Sequence, residues 1–273
     1  MEWRILKSGK KSPADNMAID EAILEAVIAN KALPTIRFYD WEPSTASCGY
    51  NQSVTEEIDF QELEKFGFGF VRRPTGGRLV LHDREITYSI IAPIEGKFSG
   101  SVTQAYSVIS LALAEGLRAM GVEVELEKGD LGVQHQRQAA NPCFSSSSKY
   151  ELKCQNKKIV GSAQVRRNDV LLQHGSILLN NDQSQVAYLL PNLDQNKKDK
   201  LAKYLKRKTI TINSALNNPI NYEQALACLE LGFRNSWSDD FFSIHNDLSQ
   251  YEIEIASRLS HTKYLTDEWN KRK

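Results

Sequence analysis

Short strand-like segments follow one another directly in two parts of the chain, and this order most limits the folds it can adopt. Residues 35–41, 68–72, 78–82 and 86–91 are rich in β-branched, aromatic or other apolar side chains, and turn residues and one short helical segment, 59–66, separate them. Residues 150–180 show the same pattern, with a turn at 166–169. Parallel folds alternate strands with helices instead. The sequence therefore predicts an α+β (α/β) domain with a mixed, mostly antiparallel sheet.

Helical periodicity appears on both sides of these strand-rich parts. Apolar residues recur at helical spacing over 13–30, after a Ser-Pro start, and over 102–120, where Gly121 follows. We interpret 13–30 as an amphipathic helix. From about Leu190 the chain is predicted to be mainly helical, around 225–233 and 253–264. These helices are expected to flank the sheet and to form a helical C-terminal portion.

Composition argues against several classes of protein. The 273 residues suffice for a hydrophobic core, and 34 Lys plus Arg balance 34 Asp plus Glu, which disfavours a general nucleic-acid binder. No apolar run is long enough for a membrane span or a signal peptide, so we expect a cytoplasmic protein that does not act on membranes. The four cysteines include no Cys-x-x-Cys pair, which favours neither disulfides nor a metal site. They are Cys48, Cys143, Cys154 and Cys228.

A Gly-Gly pair stands in the first motif, Arg-Arg-Pro-Thr-Gly-Gly-Arg at residues 72–78. Gly76 and Gly77 have no Cβ, so their backbone could approach a ligand closely. A plain hairpin turn would use the same residues. His82, which follows, is suited either to proton transfer or to packing.

Two further stretches carry possible chemistry. Lys158 directly precedes the apolar residues 159–161, and burial there would lower its pKa, whereas a solvated surface strand is the simpler alternative. Cys143 lies in a polar stretch without periodicity, 128–148, unlike a typical buried cysteine. Such a thiol could act as a nucleophile beside a positive group. The residues alone leave both alternatives open.

Taken together, three motifs resemble those of the lipoate ligase, biotin ligase and octanoyltransferase superfamily. They are Arg-Arg-Pro-Thr-Gly-Gly-Arg-Leu-Val-Leu-His-Asp, Lys-Ile-Val-Gly-Ser-Ala-Gln and His-Gly-Ser-Ile-Leu, in this order over the first two thirds of the chain. The stretch around Pro142-Cys143-Phe144 resembles the ligase-like, cysteine-dependent octanoyltransferases. The resemblance implies a ligase-like catalytic domain over 1–190, extending to about 240, and a helical C-terminal extension over 241–273.

The same resemblance implies an activity and a site. Octanoyl would pass from octanoyl-acyl carrier protein to a glycine-cleavage H protein or an E2 lipoyl domain, without a cofactor or a metal. Cys143 would hold the acyl group as a thioester, and Lys158 would lower the pKa of this thiol and relay a proton. The residues that match the acyl pocket are Arg73, Thr75, Gly76, Gly77, His82, Gly161, Ser162 and His174.

Three alternatives to this activity are an ATP-dependent lipoate–protein ligase, a lipoyl amidotransferase and a non-catalytic module that docks carrier proteins. Arg78 occupies the position at which many lipoate ligases have a third glycine. A monomer is expected. Residues 197–208 contain seven Lys or Arg and one Asp, which fits either docking of acidic carrier proteins or a solvated helix face.

Overall fold

The computed structural model describes residues 1–128 and 150–272. Twelve strands are found in these residues: Glu2–Lys11 (β1), Thr35–Trp41 (β2), Thr45–Cys48 (β3), Gly69–Arg72 (β4), Val80–His82 (β5), Ile86–Pro93 (β6), Glu125–Lys128 (β7), Tyr150–Cys154 (β8), Lys157–Lys158 (β9), Val160–Arg167 (β10), Val170–Ile177 (β11) and Phe241–His245 (β12).

Ten α-helices accompany the strands within the same described ranges. They are Pro13–Ile28 (α1), Val54–Glu57 (α2), Phe60–Lys65 (α3), Val102–Ala119 (α4), Val186–Leu189 (α5), Gln195–Lys208 (α6), Ile212–Ala215 (α7), Tyr222–Ser236 (α8), Gln250–Leu259 (α9) and Asp267–Asn270 (α10). A short 3-10 turn covers Gly96–Phe98, and a π-helical turn, Ser260–Tyr264, continues α9.

Six strands form the main sheet, in the order β10-β11-β6-β2-β1-β12. The three pairs from β10 to β2 are antiparallel, whereas β1 runs parallel to both of its neighbours. Two three-stranded sheets stand beside it, in the orders β4-β3-β5 and β7-β8-β9. The predicted α+β fold, with its mixed and mostly antiparallel sheet flanked by helices, is confirmed.

The main sheet buries both of its faces because successive side chains of a strand point to opposite sides. On one side, Phe38 and Tyr88 join the apolar cluster formed with α4 and α8. On the other side, Tyr39 and Ile91 pack with α1 and α9. This burial on both faces explains why even the polar residues Arg37 of β2 and Ser89 of β6 are buried.

Helices α4 and α8 approach each other closely where each carries a glycine. A Cβ placed on Gly232 would lie 2.3 Å from the backbone nitrogen of Gly116 and 2.6 Å from the carbonyl oxygen of Ala112. Real Cβ atoms do not come this near to backbone atoms. Only glycine therefore permits this distance between the two helices.

Several predictions about elements need correction. Strand β2 has the predicted bounds, whereas β1, β3 and β12 were not predicted as strands. Helix α1 exists, but its polar side is buried too: Asn16, Asp20 and Glu21 are at most 3% exposed. The amphipathic interpretation is therefore wrong for α1, because α9 and a polar network cover the side expected to face solvent.

The C-terminal portion is mainly helical, as expected, but it contributes to the main sheet as well. Strand β12 pairs with β1, and Ile255, Leu259 and Tyr264 belong to the apolar cluster around α1. The division at residue 241 stays a prediction. No helix among the described residues has the length and apolarity needed to cross a membrane.

Candidate active site

A cavity opens between the main sheet and the strands that precede and follow the Gly-Gly loop. The empty space inside it, counted together with its open mouth, is about 380 Å³. Five predicted site residues line it: Arg73, His82, Gly161, Ser162 and His174. The structure thus brings the Arg73 and His82 motif together with both later motifs, although these segments lie far apart in the sequence.

One wall of the cavity consists of two rows of side chains that cross the main sheet. The first row joins Tyr39 on β2, Thr87 on β6, Ser176 on β11 and Gly161 on β10. In the second row His174 stands beside Ser89 of β6 and Ala163 of β10. Side chains that are directly opposite on neighbouring strands share one face of the sheet. Because several members are small, these rows leave space above the sheet.

His174 uses both of its ring nitrogens inside the protein. Its Nε2 lies 2.6 Å from Thr75 Oγ1, and its Nδ1 lies 3.2 Å from Asp20 Oδ2. Burial lowers the pKa of His174, and this effect exceeds the opposing influence of the Asp20 carboxylate. The ring is therefore neutral at pH 7, with Nδ1–H donating to Asp20 and Nε2 accepting from Thr75.

Asp20 is the centre of a buried network that the sequence did not reveal. Burial alone would raise the pKa of Asp20, but Arg37 and His174 together hold this pKa below its ordinary value. Arg37 Nη1 donates to Asp20 Oδ1 at 2.7 Å, and both side chains are completely buried. Tyr39 and Ser89 donate their hydroxyls to the same carboxylate, at 2.9 and 2.8 Å. The carboxylate is thus satisfied in its ionised form and fixes the orientation of His174.

His82 is held in a second, similar arrangement. Its Nε2 lies 2.8 Å from Ser47 Oγ, and its Nδ1 lies 3.1 Å from Glu85 Oε1. The ring also stacks on Trp41, with 4.4 Å between the ring centroids. Like His174, His82 presents a ring whose nitrogens are already engaged.

Arg73 supports the Gly-Gly loop from within. Its guanidinium donates to the carbonyl oxygens of Ser47 at 2.8 Å, Gly76 at 2.9 Å and Arg78 at 2.7 Å. Gly77 has a φ of 95°, and a Cβ on Gly49 would lie only 2.1 Å from the carbonyl oxygen of Gly77. The loop therefore packs against residue 49, and the described residues that line the cavity do not include Gly76 or Gly77.

Lys158 is buried and forms an ion pair. Its Nζ lies 2.8 Å from Glu151 Oε1, with 8% and 5% of the two side chains exposed. Its backbone carbonyl accepts from Ile210 N at 3.1 Å. The surface-strand alternative is therefore wrong for Lys158. Cys143 lies outside the described residues.

Sequence reasoning missed several residues of the cavity wall. Met17 and Tyr39 lie in segments that were predicted only as a helix and a strand, and Ser47 lies on a strand that was not predicted. Ser176 stood inside a quoted motif, which was the available signal for it. Within residues 1–128 and 150–272, no three side chains of His, Cys, Asp or Glu could hold a metal ion.

Comparisons with known proteins identify the family of the chain. The family model of the lipoyl protein ligase A/B catalytic domain matches residues 12–234. Octanoyltransferase LipM of Brevibacillus brevis is 40% identical over 276 residues, which cover 100% of this chain and 99% of that protein. Octanoyltransferase LipM of Bacillus subtilis is 39% identical over 277 residues, which cover 98% of this chain and 97% of that protein.

Solved structures of lipoate ligases share the fold. A bipartite archaeal lipoate protein ligase from Thermoplasma acidophilum, described with its E2 lipoyl domain, has a TM-score of 0.81 at 23% identity, over 100% of this chain and 98% of that one. A lipoate-protein ligase A bound with ATP has a TM-score of 0.79 at 23% identity, over 99% of each chain. Since the family model spans the cavity and all three motifs, and the relatives match from end to end, the chain belongs to the lipoyl protein ligase A/B catalytic domain family.

Proposed function

We propose that this chain is an octanoyltransferase that moves octanoyl from octanoyl-acyl carrier protein to a lysine of a lipoyl-carrier protein, through a thioester on Cys143. The observation that carries the proposal is its identity of about 40% with octanoyltransferases along the whole chain. The acceptor is a glycine-cleavage H protein or an E2 lipoyl domain. An ATP-dependent ligase shares the fold, but those ligases are only 23% identical to this chain.

The cavity suits an apolar acyl chain despite its polar wall residues. The side chains of Arg73, His82 and His174 direct their hydrogen bonds to other protein groups. They therefore need no water from the cavity. An octanoyl tail placed there would gain about 0.8 kcal/mol for each CH₂ removed from water.

The first half-reaction forms the acyl-enzyme. The Cys143 thiolate attacks the carbonyl carbon of the octanoyl thioester, a new C–S bond forms, and the bond to the carrier sulfur breaks. The carrier thiolate leaves and takes up a proton. The Lys158 ammonium, which lies in an ion pair with Glu151, supplies the positive charge that favours the Cys143 thiolate.

The second half-reaction transfers the acyl group to nitrogen. The neutral amine of the acceptor lysine attacks the acyl-Cys143 carbonyl, an amide C–N bond forms, and the C–S bond breaks. The proton lost by the amine passes to the departing Cys143 sulfur, with Lys158 as the relay. Because a thioester is already activated, the reaction requires no ATP.

The test of this function is the formation of the acyl-enzyme. Purified protein would be incubated with octanoyl-acyl carrier protein, without ATP or acceptor, and its intact mass measured before peptide mapping. We expect one octanoyl adduct on the Cys143 peptide, removed by hydroxylamine and absent from Cys143→Ala. Cys228→Ala, in which a half-buried cysteine of α8 is replaced, is the matched control and should still be acylated.

Two results would contradict the proposal. If no adduct forms but octanoate or lipoate plus ATP modifies an acceptor protein, the chain is a ligase. If it accepts acyl groups only from octanoylated carrier domains, it is an amidotransferase. Transfer of the adduct to H protein and to an E2 lipoyl domain, compared side by side, would identify the preferred acceptor.

The role of Lys158 predicts a dependence on pH. Without the positive charge the thiol would return toward its ordinary pKa of about 8.5, so Lys158→Met should acylate very slowly at pH 7 and recover part of its rate near pH 9. Lys157→Met, which alters the neighbouring half-buried lysine, should behave like the parent protein. Equal losses in Lys158→Met at both pH values would contradict thiol activation, and circular dichroism would verify that the variant is folded.

A further inference from the structure

Ser176 differs from the other polar residues of the cavity wall. Its side chain is 1% exposed, it lines the cavity, and its hydroxyl has no hydrogen-bond partner among the described residues. By contrast, Ser47, Thr87 and Ser162 each take part in a hydrogen bond with another side chain. A buried hydroxyl without a partner is unfavourable, so the unpaired Ser176 points to a ligand that completes its hydrogen bonding.

The register of the sheet relates Ser176 to the segment that carries Lys158. It stands opposite Gly161, which has no side chain to fill the space beside the hydroxyl. Gly161 follows Lys158 by three residues, which is about 10 Å of extended chain. His174, two residues earlier on β11, stands opposite Ala163, which follows Lys158 by five residues. Among the described residues that line the cavity, Ser176 thus carries an unpaired hydroxyl and is closer in register to Lys158 than His174 is.

We propose that Ser176 donates a hydrogen bond to the carbonyl oxygen of the bound acyl group and stabilises the oxyanion formed at that atom. This inference rests on the proposed function. An octanoyl group has one polar atom, its carbonyl oxygen, and only this atom can accept from the hydroxyl. Along the methylene chain, an unpaired hydroxyl would meet no acceptor.

The same hydrogen bond serves both half-reactions. When the Cys143 sulfur attacks, the carbonyl π electrons move to the oxygen, and the Ser176 O–H donates without giving up its proton. The oxyanion then collapses, restores the C=O bond and expels the carrier thiolate. When the acceptor amine attacks, the same oxygen becomes negative again and the Cys143 thiolate leaves. Removal of one such donor lowers the rate about 10²- to 10³-fold in other acyl-transfer sites.

The experiment compares three variants in single-turnover acylation by octanoyl-acyl carrier protein at saturating donor. Ser176→Ala should lower the acylation rate about 10²-fold, whereas Ser176→Thr, which keeps a hydroxyl, should retain much more of it. Ser110→Ala removes an equally buried serine on α4, away from the cavity, and should leave the rate unchanged. Thermal unfolding of each variant would verify that the fold is intact.

Donors with acyl chains of different length distinguish a hydrogen bond to the carbonyl from simple packing against the tail. If Ser176 binds the carbonyl, Ser176→Ala should slow hexanoyl and octanoyl transfer by the same factor. A changed preference between the two chains without a common loss would overturn the inference, since the hydroxyl would then contact the tail. A rate equal to that of the parent would also overturn it. If the parent protein itself forms no acyl-Cys143, the proposed function fails, and the inference fails with it.

Discussion

His174 and the buried Asp20 behave as one electrostatic unit with a definite protonation state. Asp20 stays ionised because Arg37 and His174 outweigh the effect of its burial, and His174 stays neutral because burial outweighs the influence of Asp20. Charging His174 would require the protein to solvate a second cation beside Arg37. Protonation of His174 should therefore weaken this network.

The lowered pKa of His174 predicts how stability depends on pH. Above about pH 7 the imidazole is neutral in both the folded and the unfolded chain, so it has no effect. Below about pH 6.5 the unfolded chain binds the proton more readily, so the free energy of unfolding falls by up to about 1.4 kcal/mol per pH unit. Urea unfolding at pH 8, 7, 6 and 5 would measure this loss.

His174→Gln is the comparison that isolates this effect. Glutamine has no titrating group, so the variant should lose less stability than the parent between pH 6.5 and pH 5. Parallel curves for the two proteins over this interval would contradict the assignment. His245→Gln, on the exposed strand β12, should reproduce the parent curve.

Asp20 also shows what the sequence could not disclose at the scale of single residues. His82, His174 and Lys158 were found because each stands in a motif. Asp20 stands in a periodic helix, where a carboxylate is ordinarily read as facing solvent. The burial of Asp20 follows only from the register of β2 against β6. This register places Arg37 beside Ser89, and both side chains contact Asp20 on α1. No local pattern carries that information.

At the scale of elements, the contact between α4 and α8 depends on two glycines. Both helices cover the same face of the main sheet, and their separation is set where Gly116 and Gly232 meet. A side chain at either position would push one helix away from the sheet. The apolar cluster beneath would then lose its packing.

Gly232→Ala is therefore expected to destabilise the protein by about 1–3 kcal/mol, even though alanine favours helix formation. Chemical denaturation would measure the loss. Leu231→Ala, at an exposed neighbouring position on α8, should have an effect below about 0.5 kcal/mol. A Gly232→Ala protein as stable as the parent would show that the helices can separate without cost.

Helix α6 carries the basic segment proposed for carrier docking. Four of its lysines are exposed: Lys197, Lys200, Lys203 and Lys206. Thr209, which directly follows the helix, forms a parallel β-bridge with Lys158. The C-terminal end of this basic helix therefore lies next to strand β9, which contains Lys158. This continuity makes docking of an acidic carrier protein testable against the alternative of a solvated helix face.

Reversing two of these charges tests that role. Lys203→Glu with Lys206→Glu should lower kcat/KM for octanoyl-acyl carrier protein several-fold and weaken its dependence on salt. Octanoyl-N-acetylcysteamine, a donor without a carrier protein, should react at the parent rate. Lys11→Glu, at an exposed position of β1, is the control. Equal losses with both donors would indicate damage to the site instead of lost docking.

Elements were predicted unevenly, for physical reasons. Strand β2 was found with its bounds because both of its faces are buried and its residues favour strands. Strand β1 was missed because it contains Arg4, Lys7, Lys10 and Lys11. Arg4 is nevertheless buried against Glu252, 248 positions later, and such a distant partner leaves no local signal. Strand β12 forms only alongside β1, so it could not be recognised first.

At the scale of the whole molecule, the last described residues reach back to the site. Asn270 Oδ1 accepts from the backbone N–H of Arg72 at 2.8 Å, and Arg72 Nη2 donates to the carbonyl oxygen of Arg272 at 2.6 Å. Arg72 itself is completely buried and immediately precedes Arg73. The C-terminal segment thus helps to fix the start of the loop that borders the cavity.

Asn270→Ala tests this long-range support. The substitution leaves the Arg72 N–H and the Tyr264 carbonyl, both hydrogen-bonded to Asn270, without partners, which should cost about 1–3 kcal/mol. Slower acylation should accompany the loss, because the loop would be less fixed. Lys271→Ala, at the adjacent exposed position, should change neither quantity. If Asn270→Ala is destabilised but acylates at the parent rate, the C-terminal segment supports the fold and not the active site.

The inward hydrogen bonding of His174 has a calorimetric consequence. A tail that enters this cavity displaces water from a wall in which the His174 ring is already neutral and hydrogen-bonded. Binding of a non-reactive octanoyl analogue should then show a negative heat-capacity change, the mark of apolar burial. Its measured enthalpy should also be the same in phosphate and in Tris, because no proton is exchanged with the buffer.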